Sequence, residues 1–329
     1  MALRVTVVGA GSWGTTVAAL LAAESTVALW ARRPEVAELI ATTGTNPVYL
    51  PGVILPPEVV ATSSLADAVA GTDVVAMAVP SGGFRSVLAQ ALPDLPGGVP
   101  VVSLAKGLEP GTRLRMTQVV ADVAPGHPPG ALTGPNLAGE IAAGQPAAAV
   151  LAVADADLAA WLQPVFHRPT FRVYTNPDVV GCEIAGVVKN VIAIAAGMVE
   201  GLGFGDNTKA TVMTRGLAEL SRLGAALGGD PRTFAGLAGL GDLVATCASE
   251  RSRNHRVGVE LGRGRALPDI LAATPMVAEG VASSAVVCEL AAGAGIEMPL
   301  ADQVRAVCQG VATPAEVVAA LLRRAPTSE

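Results

Sequence analysis

The chain opens on an apolar run that breaks into glycines spaced G-x-G-x-x-G, and this junction constrains the fold more than any other feature. Residues 3–8 have the composition of a buried strand, Gly9, Gly11 and Gly14 follow, and a helix-like segment continues from residue 15. In such a junction the first glycine permits a tight turn, the second lets the backbone approach phosphate, and the third lets helix pack on strand. The helix N-terminus then faces the anion. The pattern predicts a site for a dinucleotide pyrophosphate, and a tight βα turn without a ligand is the alternative.

Short Val- and Ala-rich runs alternate with helical stretches as far as about residue 175. This alternation predicts a Rossmann-type, doubly wound parallel sheet with helices on both faces. Beyond Pro177 long segments with helical apolar spacing take over. We therefore expect an α/β dinucleotide-binding domain over residues 1–178 and a mostly α-helical substrate and catalytic domain over 179–329. Predicted strands lie at 3–8, 26–31, 73–79, 99–104, 130–133 and 147–153, and predicted helices at 179–201, 207–227, 255–262, 283–294 and 314–324.

Composition argues against several classes of protein. Although 51% of the residues are apolar, no 18-residue run lacks charge or proline, so we expect no membrane span. A net charge of -6 without a long basic run argues against a nucleic-acid partner. The four cysteines and three histidines are widely spaced, which predicts neither a metal site nor a disulfide. Unpaired thiols fit a reducing compartment, and no signal peptide is apparent, so we expect a cytoplasmic protein.

Two arginines follow the second predicted strand. Arg32 and Arg33 stand about 20 residues beyond the glycines, where an acidic residue would hold a ribose 2′-hydroxyl. Guanidinium groups instead match the oxygens of a 2′-phosphate. The pair favours NADP(H) as cofactor with NAD(H) possible, and two solvated arginines before a helix are the alternative.

Lysine is rare in this chain, with three against 19 arginines, so each lysine raises the question of what arginine could not do there. An ammonium can lose its proton, whereas a guanidinium effectively never does. Lys106 follows a predicted strand at the edge where open α/β sheets bind ligands, or it is an ordinary loop lysine. Lys189 lies inside a long apolar helix, where a charge is costly without a role or a partner. Lys209 lacks such a context and is expected to be a surface charge.

The face of the helix around Lys189 is built from small residues. Such residues let another element or a ligand approach closely. An amine in a tight apolar cleft is a candidate proton donor or acceptor, and a purely structural pairing with a carboxylate is the alternative. The small residues within two turns are Ala185, Gly186, Ala193, Ala196 and Gly197.

With these segments in view, the chain resembles the bacterial NAD(P)-dependent sn-glycerol-3-phosphate dehydrogenases over nearly its whole length. No single motif carries this resemblance, but the ordered series is highly specific. Its segments are the glycine turn 9–14, Ala-Lys-Gly-Leu-Glu at 105–109, Gly-Pro at 134–135, Val-Val-Lys-Asn-Val-Ile-Ala at 187–193, Thr-Arg-Gly at 214–216, Gly-Leu-Ala-Gly-Leu-Gly-Asp-Leu at 236–243, Ser-Arg-Asn at 252–254 and Glu-Gly at 279–280.

The resemblance implies a role for each matching position. Lys189 would be the acid/base at the carbinol oxygen and, with seven others, would contact substrate: Lys106, Gly134, Asn136, Asp242, Ser252, Arg253 and Asn254. Beside the glycines, the dinucleotide contacts would be Ser12, Trp13, Arg32, Arg33, Tyr49, Lys106, Ala138, Arg253, Val277 and Glu279. Asn136 departs from the family, which commonly has serine or threonine there, and an amide differs from a hydroxyl in reach and donor pattern.

Two of these segments also carry a physical argument of their own. Residues 251–254 precede a helical pattern that starts near His255, so hydroxyl, guanidinium and helix-terminal N–H groups could converge on a phosphate. A solvated charge run before a helix is the alternative. Asp242, in a glycine-rich stretch, could be a helix cap, a partner of Lys189 or a partner of a substrate hydroxyl.

The activity that the resemblance implies is reversible hydride transfer between NAD(P)H and dihydroxyacetone phosphate, giving sn-glycerol 3-phosphate for glycerophospholipid synthesis. A β-hydroxyacid dehydrogenase has a similar two-domain architecture, but residues 252–254 suit a phosphate better than a carboxylate. A non-catalytic NADPH-binding sensor would not need Lys189 or Asp242. A homodimer is compatible with the resemblance, and the sequence leaves the oligomeric state open.

Overall fold

The computed structural model describes residues 2–273 and 277–322, with side chains described as far as residue 319. The chain divides into two compact units, Met1–Glu183 and Ile184–Glu329. The domain boundary that the sequence places at residue 178 stays a prediction.

The first unit is built on an eight-stranded sheet with a separate two-stranded sheet beside it. In the large sheet the strand order is β10-β9-β8-β7-β6-β1-β2-β5, and β3 pairs with β4. The strands are β1 (Leu3–Val8), β2 (Ser25–Trp30), β3 (Thr45–Asn46), β4 (Leu50–Ile54), β5 (Val59–Thr62), β6 (Val74–Met77), β7 (Val101–Ser103), β8 (Pro129–Thr133), β9 (Ala147–Ala152) and β10 (Phe171–Asn176).

The predicted parallel sheet is confirmed in its main part, with one departure. β1, β2, β5, β6, β7 and β8 are parallel, but β8 pairs with β9 antiparallel, and β10 runs parallel to β9. A parallel crossover needs a dozen or more residues, usually forming a helix that covers the sheet. The β8–β9 connection, residues 134–146, is long enough for a crossover, but its helix Ala138–Ala142 has only five residues and is too short to run back along the sheet, and the chain returns in the opposite direction.

Helices cover both faces of the sheet. Two groups of buried apolar side chains form the core, one including Val7, Leu29 and Leu132 and the other including Val8, Met77 and Phe84. Because Val7 and Val8 alternate along β1, they point to opposite faces. The helices are α1 (Ser12–Leu21), α2 (Pro34–Thr43), α3 (Leu65–Val69), α4 (Ser81–Ala91), α5 (Met116–Val123), α6 (Ala138–Ala142) and α7 (Ala156–Phe166).

The second unit is helical in its described residues, as predicted. Two predicted helices begin earlier than the apolar spacing indicated: the one expected from 255 begins at Arg253, and the one expected from 283 begins at Glu279. Polar residues in the first turn hide the start of α12, and Gly280 weakens the helical signal at the start of α14. The helices are α8 (Val179–Gly201), α9 (Asp206–Ala226), α10 (Pro231–Phe234), α11 (Asp242–Ala248), α12 (Arg253–Gly262), α13 (Leu267–Ala272), α14 (Glu279–Gly293), α15 (Pro299–Cys308) and α16 (Pro314–Leu322).

Most of α8 lies in this unit, and glycines bring it close to α12. A Cβ at Gly197 would overlap the backbone oxygen of His255, and a Cβ at Gly258 would overlap the backbone oxygen of Ile194. The small residues near Lys189 therefore do include a site of close helix approach, as their spacing predicted. α8 is also long and apolar enough to cross a membrane, but 89% of its most apolar window is buried within the protein. A buried core helix has the same composition.

Candidate active site

The glycine turn after β1 has a different steric reason for each glycine. Gly9 has a φ of +116°, which side chains rarely adopt, and a Cβ there would lie 2.8 Å from the Ala78 oxygen. A Cβ at Gly14 would overlap the Gly9 oxygen, so this residue sets the contact between α1 and β1. At Gly11, by contrast, a Cβ would meet no atom within 4 Å. The open space beside Gly11, at the N-terminus of α1, is where a pyrophosphate fits.

Side chains from the segment around β3 hold this turn in place. The Nδ2 of Asn46, a residue that is 1% exposed, donates to the Ala10 oxygen at 2.9 Å and to Thr15 Oγ1 at 2.8 Å. Ser12 Oγ donates to the backbone oxygen of Tyr49 at 2.6 Å. No local sequence pattern pointed to Asn46, because its partner groups lie 31 and 36 residues away.

The end of β2 carries the two arginines on an exposed surface. Arg33 Nη2 donates to the Tyr49 hydroxyl at 3.2 Å, and its guanidinium lies 5.6 Å from the centre of the Tyr49 ring. Arg33 Nε is also 3.7 Å from a Glu35 carboxylate oxygen. Arg32 is exposed. Arg33 and Tyr49, both predicted dinucleotide contacts, thus lie together.

The ends of β7 and β8 bring together Lys106 and Gly134. Lys106 Nζ donates to the Gly134 oxygen at 2.7 Å. Gly134 has a φ of +110°, and a Cβ there would approach the β9 backbone at Ala149 to 3.2 Å, so the turn requires glycine. Ala138 then begins α6, and its backbone oxygen accepts from Thr16 of α1 at 3.2 Å. This edge of the sheet therefore presents an ammonium group beside a rigid turn.

Several buried polar atoms near these strand ends lack a partner among the described residues. They are Trp13 Nε1, Thr133 Oγ1, and both Nδ2 and Oδ1 of Asn136. Native proteins rarely leave such atoms unpaired, and ligands often supply the missing bonds. The first unit thus fits a dinucleotide, with open space at Gly11 and unpaired polar groups near the ends of β1 and β8.

In the second unit Lys189 forms a buried ion pair. Lys189 Nζ lies 2.9 Å from Asp242 Oδ1 and donates to Thr246 Oγ1 at 2.6 Å. The Thr246 hydroxyl also lies 3.2 Å from Asp242 Oδ1. All three residues are at most 5% exposed. Of the three alternatives for Asp242, the structure supports partnership with Lys189. Asp242 is the first residue of α11, and Gly241 occupies the cap position.

Thr246 is a member of this group that sequence patterns did not reveal. It stands one helical turn after Asp242 on α11, so the two side chains share a face. A search for polar residues at i+4 from a functional carboxylate could have found it.

The segment before α12 has the geometry of a helix N-terminus. Ser252 is the N-cap, and its Oγ accepts from the backbone N–H of His255 at 3.3 Å. Arg253 is the first helical residue, two positions earlier than the sequence indicated. Desolvation lowers the pKa of the Arg253 guanidinium, and the neighbouring Glu279 carboxylate opposes this shift. A hydroxyl, a guanidinium and helix-terminal N–H groups are thus adjacent.

Asn254 takes part in a buried amide network across three helices. Its Nδ2 donates to Asn190 Oδ1 at 2.8 Å, and its Oδ1 accepts from the Gly280 N–H at 3.0 Å. Asn190 Nδ2 donates to the Gly186 oxygen at 3.2 Å. One of the two Asn254 amide hydrogens is therefore committed to α8. Asn190, which follows Lys189, was not singled out from the sequence. Val277, just before α14, is 50% exposed.

Lys209 is a correction to the sequence prediction of a surface charge. Its ammonium group forms an ion pair with Glu200, and its side chain is 20% exposed. The same Glu200 carboxylate lies 3.3 Å from Nε2 of His255, a residue that is 1% exposed. Burial lowers the pKa of His255, although Glu200 opposes this. The three residues connect α8, α9 and α12.

The structure contains no group of three or more His, Cys, Asp or Glu residues that could hold a metal ion within residues 2–273 and 277–322. All four cysteines are free in the structure. Burial raises the pKa of the Cys247 thiol, which neighbours Thr246, to about 12. This thiol is therefore not a candidate nucleophile.

Comparison with known proteins identifies the family of this chain. Residues 4–159 match the family described as NAD-dependent glycerol-3-phosphate dehydrogenase N-terminus, and residues 178–319 match the C-terminus of the same family. A relative from Sphingopyxis alaskensis, named glycerol-3-phosphate dehydrogenase [NAD(P)+] 2, is 56% identical over 98% of this chain and 97% of its own length. The chain belongs to the NAD-dependent glycerol-3-phosphate dehydrogenase family. The resemblance seen in the sequence is thereby confirmed.

Other members of the glycerol-3-phosphate dehydrogenase family also match over nearly the whole length of the chain. A Streptomyces griseus glycerol-3-phosphate dehydrogenase [NAD(P)+] is 50% identical over 99% of this chain and 98% of its own length. The crystal structure of the Coxiella burnetii enzyme has a TM-score of 0.94 at 37% identity and covers 98% of this chain and 99% of its own. A Ralstonia eutropha ketopantoate reductase, with a TM-score of 0.61 at 19% identity, shares the fold alone.

Proposed function

We propose that this chain catalyses the reversible NAD(P)H-dependent reduction of dihydroxyacetone phosphate to sn-glycerol 3-phosphate. Full-length relatives that carry this activity in their names support the reaction. The observation in the molecule that supports it most is the buried group of Lys189, Asp242 and Thr246. A carbonyl that accepts hydride needs a proton at its oxygen, and an oriented ammonium group can supply one.

The cofactor supplies hydride, and the residues of the first unit bind and orient it. Gly9, Gly11 and Gly14 shape the turn that faces the pyrophosphate. Arg32 and Arg33 follow the end of β2, and guanidinium groups match the oxygens of a 2′-phosphate, so we propose NADP(H) as the favoured cofactor with NAD(H) accepted. The remaining proposed cofactor contacts are Ser12, Trp13, Tyr49, Lys106, Ala138, Arg253, Val277 and Glu279.

Lys189 is the proposed acid in the direction of reduction. As hydride arrives at C2 of the ketone, Nζ transfers a proton to the developing alkoxide, and solvent later restores that proton. Asp242 keeps the ammonium charge compensated in a buried environment, and Thr246 fixes the direction of Nζ. In the oxidation of glycerol 3-phosphate, the neutral amine takes the proton back.

The proposed phosphate contacts are Ser252, Arg253 and Asn254, which lie together at the N-terminus of α12. The helix dipole and the guanidinium both favour a dianionic group there. Lys106 and Gly134 are the proposed contacts on the first unit, where Lys106 adds a second cation for charge at the ketone oxygen.

An absorbance assay at the nicotinamide band tests substrate and cofactor together. Dihydroxyacetone phosphate is offered with NADPH and then with NADH, and β-keto acids are offered in parallel as substrates of the alternative dehydrogenase class. We expect oxidation of both reduced cofactors with the phosphorylated triose. Turnover of a keto acid alone would favour a β-hydroxyacid dehydrogenase. Cofactor binding without any turnover would favour a sensor.

Three broader statements belong to the same proposal. Residues 1–178 act as the dinucleotide-binding domain and residues 179–329 as the substrate domain. The enzyme is proposed to act in the cytoplasm as a homodimer and to supply glycerol 3-phosphate for glycerophospholipid synthesis, without a membrane span or nucleic acid as a partner. Light scattering after gel filtration measures the mass of the assembly, and a monomer would contradict the dimer.

A further inference from the structure

Asn136 is the most conspicuous unsatisfied group of the first unit. Its Nδ2 and its Oδ1 are both covered from solvent, and neither has a hydrogen-bond partner among the described residues. Burying an unpaired amide is unfavourable, so a side chain in this state indicates a site that a ligand completes. The missing partner must donate one hydrogen bond and accept another.

The strand order indicates which part of a dinucleotide lies beside Asn136. β1 lies between β2 and β6, and β7 and β8 follow on the β6 side. If the pyrophosphate lies at the glycine turn after β1 and the adenosine half lies over the end of β2, the nicotinamide half lies over the ends of β6, β7 and β8. Asn136 stands three residues beyond the end of β8.

The turn that carries Asn136 is held rigidly. Lys106 Nζ donates to the Gly134 oxygen at 2.7 Å, and the positive φ of Gly134 fixes the chain direction two residues before Asn136. A contact from this turn can therefore orient a ring and need not adapt to it. Thr133 Oγ1, at the end of the same strand, is also buried and unpaired.

Nδ2 donates and Oδ1 accepts, so the partner must do both, as a carboxamide or a triose hydroxyl can, and the strand order favours the carboxamide. A phosphate only accepts hydrogen bonds, so it satisfies Nδ2 and leaves Oδ1 unpaired. A primary carboxamide has an acceptor oxygen and a donor nitrogen side by side, and two such groups pair through two hydrogen bonds. We propose that Asn136 binds the carboxamide of the nicotinamide ring, in place of the substrate contact that the family resemblance implies. The pairing fixes the rotation of the ring and so the face that it turns to the ketone.

This inference rests on the dinucleotide part of the proposed function, so its test uses binding without any triose. Isothermal titration of the intact protein measures Kd for three ligands: NADPH, its 3-acetylpyridine analogue, and 2′-phospho-ADP-ribose. The analogue has a methyl group in place of the carboxamide nitrogen, and the last ligand lacks the nicotinamide. The variants are Asn136→Ala and Asn136→Ser. The matched control is Asn207→Ala, an exposed asparagine on α9.

The wild-type protein and the control should bind NADPH about tenfold more tightly than the acetylpyridine analogue, the effect of one lost hydrogen bond with an unpaired partner. In Asn136→Ala the ratio of the Kd for the analogue to the Kd for NADPH should fall to about one, because NADPH binds roughly tenfold more weakly. Affinity for 2′-phospho-ADP-ribose should stay unchanged, which shows that the variant is folded. Asn136→Ser, which keeps one hydroxyl, should lie between the two.

Two results would overturn the inference. One is an unchanged NADPH to analogue ratio in Asn136→Ala, and a raised KM for dihydroxyacetone phosphate in the same variant would assign the side chain to the substrate. The other is an equal loss for all three ligands, because a carboxamide contact cannot affect a ligand without that group. If the protein had no activity toward the triose, the proposed function would be contradicted, but the binding measurements would still test this inference.

Discussion

Lys189 and Asp242 are paired at 2.9 Å although 53 residues separate them in the chain. Their side chains are 6% and 2% exposed, so both charges have lost most of their hydration. Burying two charges costs free energy, and this cost is offset only if each charge compensates the other or serves a reaction. The pair has either a structural or a catalytic role, and variants at each position distinguish the two.

Lys189→Ala should lower kcat by roughly 10² to 10⁴, the range for a lost acid/base, with cofactor binding nearly intact. Steady-state kinetics and a binding titration with NADPH measure the two effects separately. Lys189→Arg is the matched control, since it keeps the positive charge beside Asp242 but does not titrate. A purely structural lysine would be rescued by arginine, and near-normal turnover in either variant would reject the catalytic role.

Asp242→Asn should destabilise the fold by about 3–5 kcal/mol, because it leaves the ammonium of Lys189 buried without a counter-charge. Urea denaturation followed by circular dichroism measures this change. The double variant Lys189→Met with Asp242→Leu should be less destabilised than the two single changes added together. Additive losses would mean that the 2.9 Å contact contributes no coupling energy.

Arg32→Ala with Arg33→Ala should weaken NADPH far more than NADH, since only NADPH carries the 2′-phosphate that guanidinium groups can pair with. The loss for NADPH should be about tenfold or greater, from one or two charge-assisted hydrogen bonds. Fluorescence titration with each cofactor gives the two Kd values. Arg172→Ala removes another exposed guanidinium, one that lies 5.2 Å from the Tyr174 ring, and serves as the control. Equal losses for both cofactors would contradict the 2′-phosphate role.

Gly11→Ala should reduce cofactor affinity, whereas Gly14→Ala should reduce stability. A Cβ at Gly11 meets no protein atom, so this variant should keep its Tm and lose cofactor affinity as the methyl group enters the phosphate space. A Cβ at Gly14 overlaps the Gly9 oxygen and lies 2.8 Å from the Ala78 Cβ, so this variant should lose stability by about 1–3 kcal/mol or more. Thermal melts with and without NADPH distinguish them. A Gly11→Ala protein that binds NADPH normally would argue against a pyrophosphate at this turn.

His255 should make stability depend on pH. Burial lowers its pKa in the folded protein, against the opposing effect of Glu200, so the unfolded chain binds the proton more readily. Stability should therefore fall as the pH drops through about 6.5, the ordinary pKa of histidine. Tm measured from pH 7.5 to 5.5 should decline less in His255→Gln than in the wild type. His127→Gln, which alters a histidine of the first unit, is the control, and parallel curves for His255→Gln and wild type would contradict the assignment.

Local sequence patterns were sufficient to predict the elements that carry a strong local signal. β1 and α8 have the predicted bounds, because an apolar strand before a glycine turn and a 23-residue apolar helix each carry an unambiguous local signal. Segments with a weak periodic pattern were predicted less well. The strands Val59–Thr62 and Phe171–Asn176 at the sheet edges were not predicted, and the starts of α12 and α14 were predicted too late in the chain.

The sequence by itself determined the residue types that the chemistry needs: the glycines at their spacing, arginines after β2, a lysine inside an apolar helix, and Ser-Arg-Asn before a helix. Tertiary structure alone decided which partners these residues have. Asp242 and Thr246 reach Lys189, Asn46 holds the glycine turn, and Glu200 joins Lys209 to His255. The physical reason is that periodicity and turn chemistry act over a few residues, whereas a buried charge or amide is satisfied by whichever distant segment the packing brings to it.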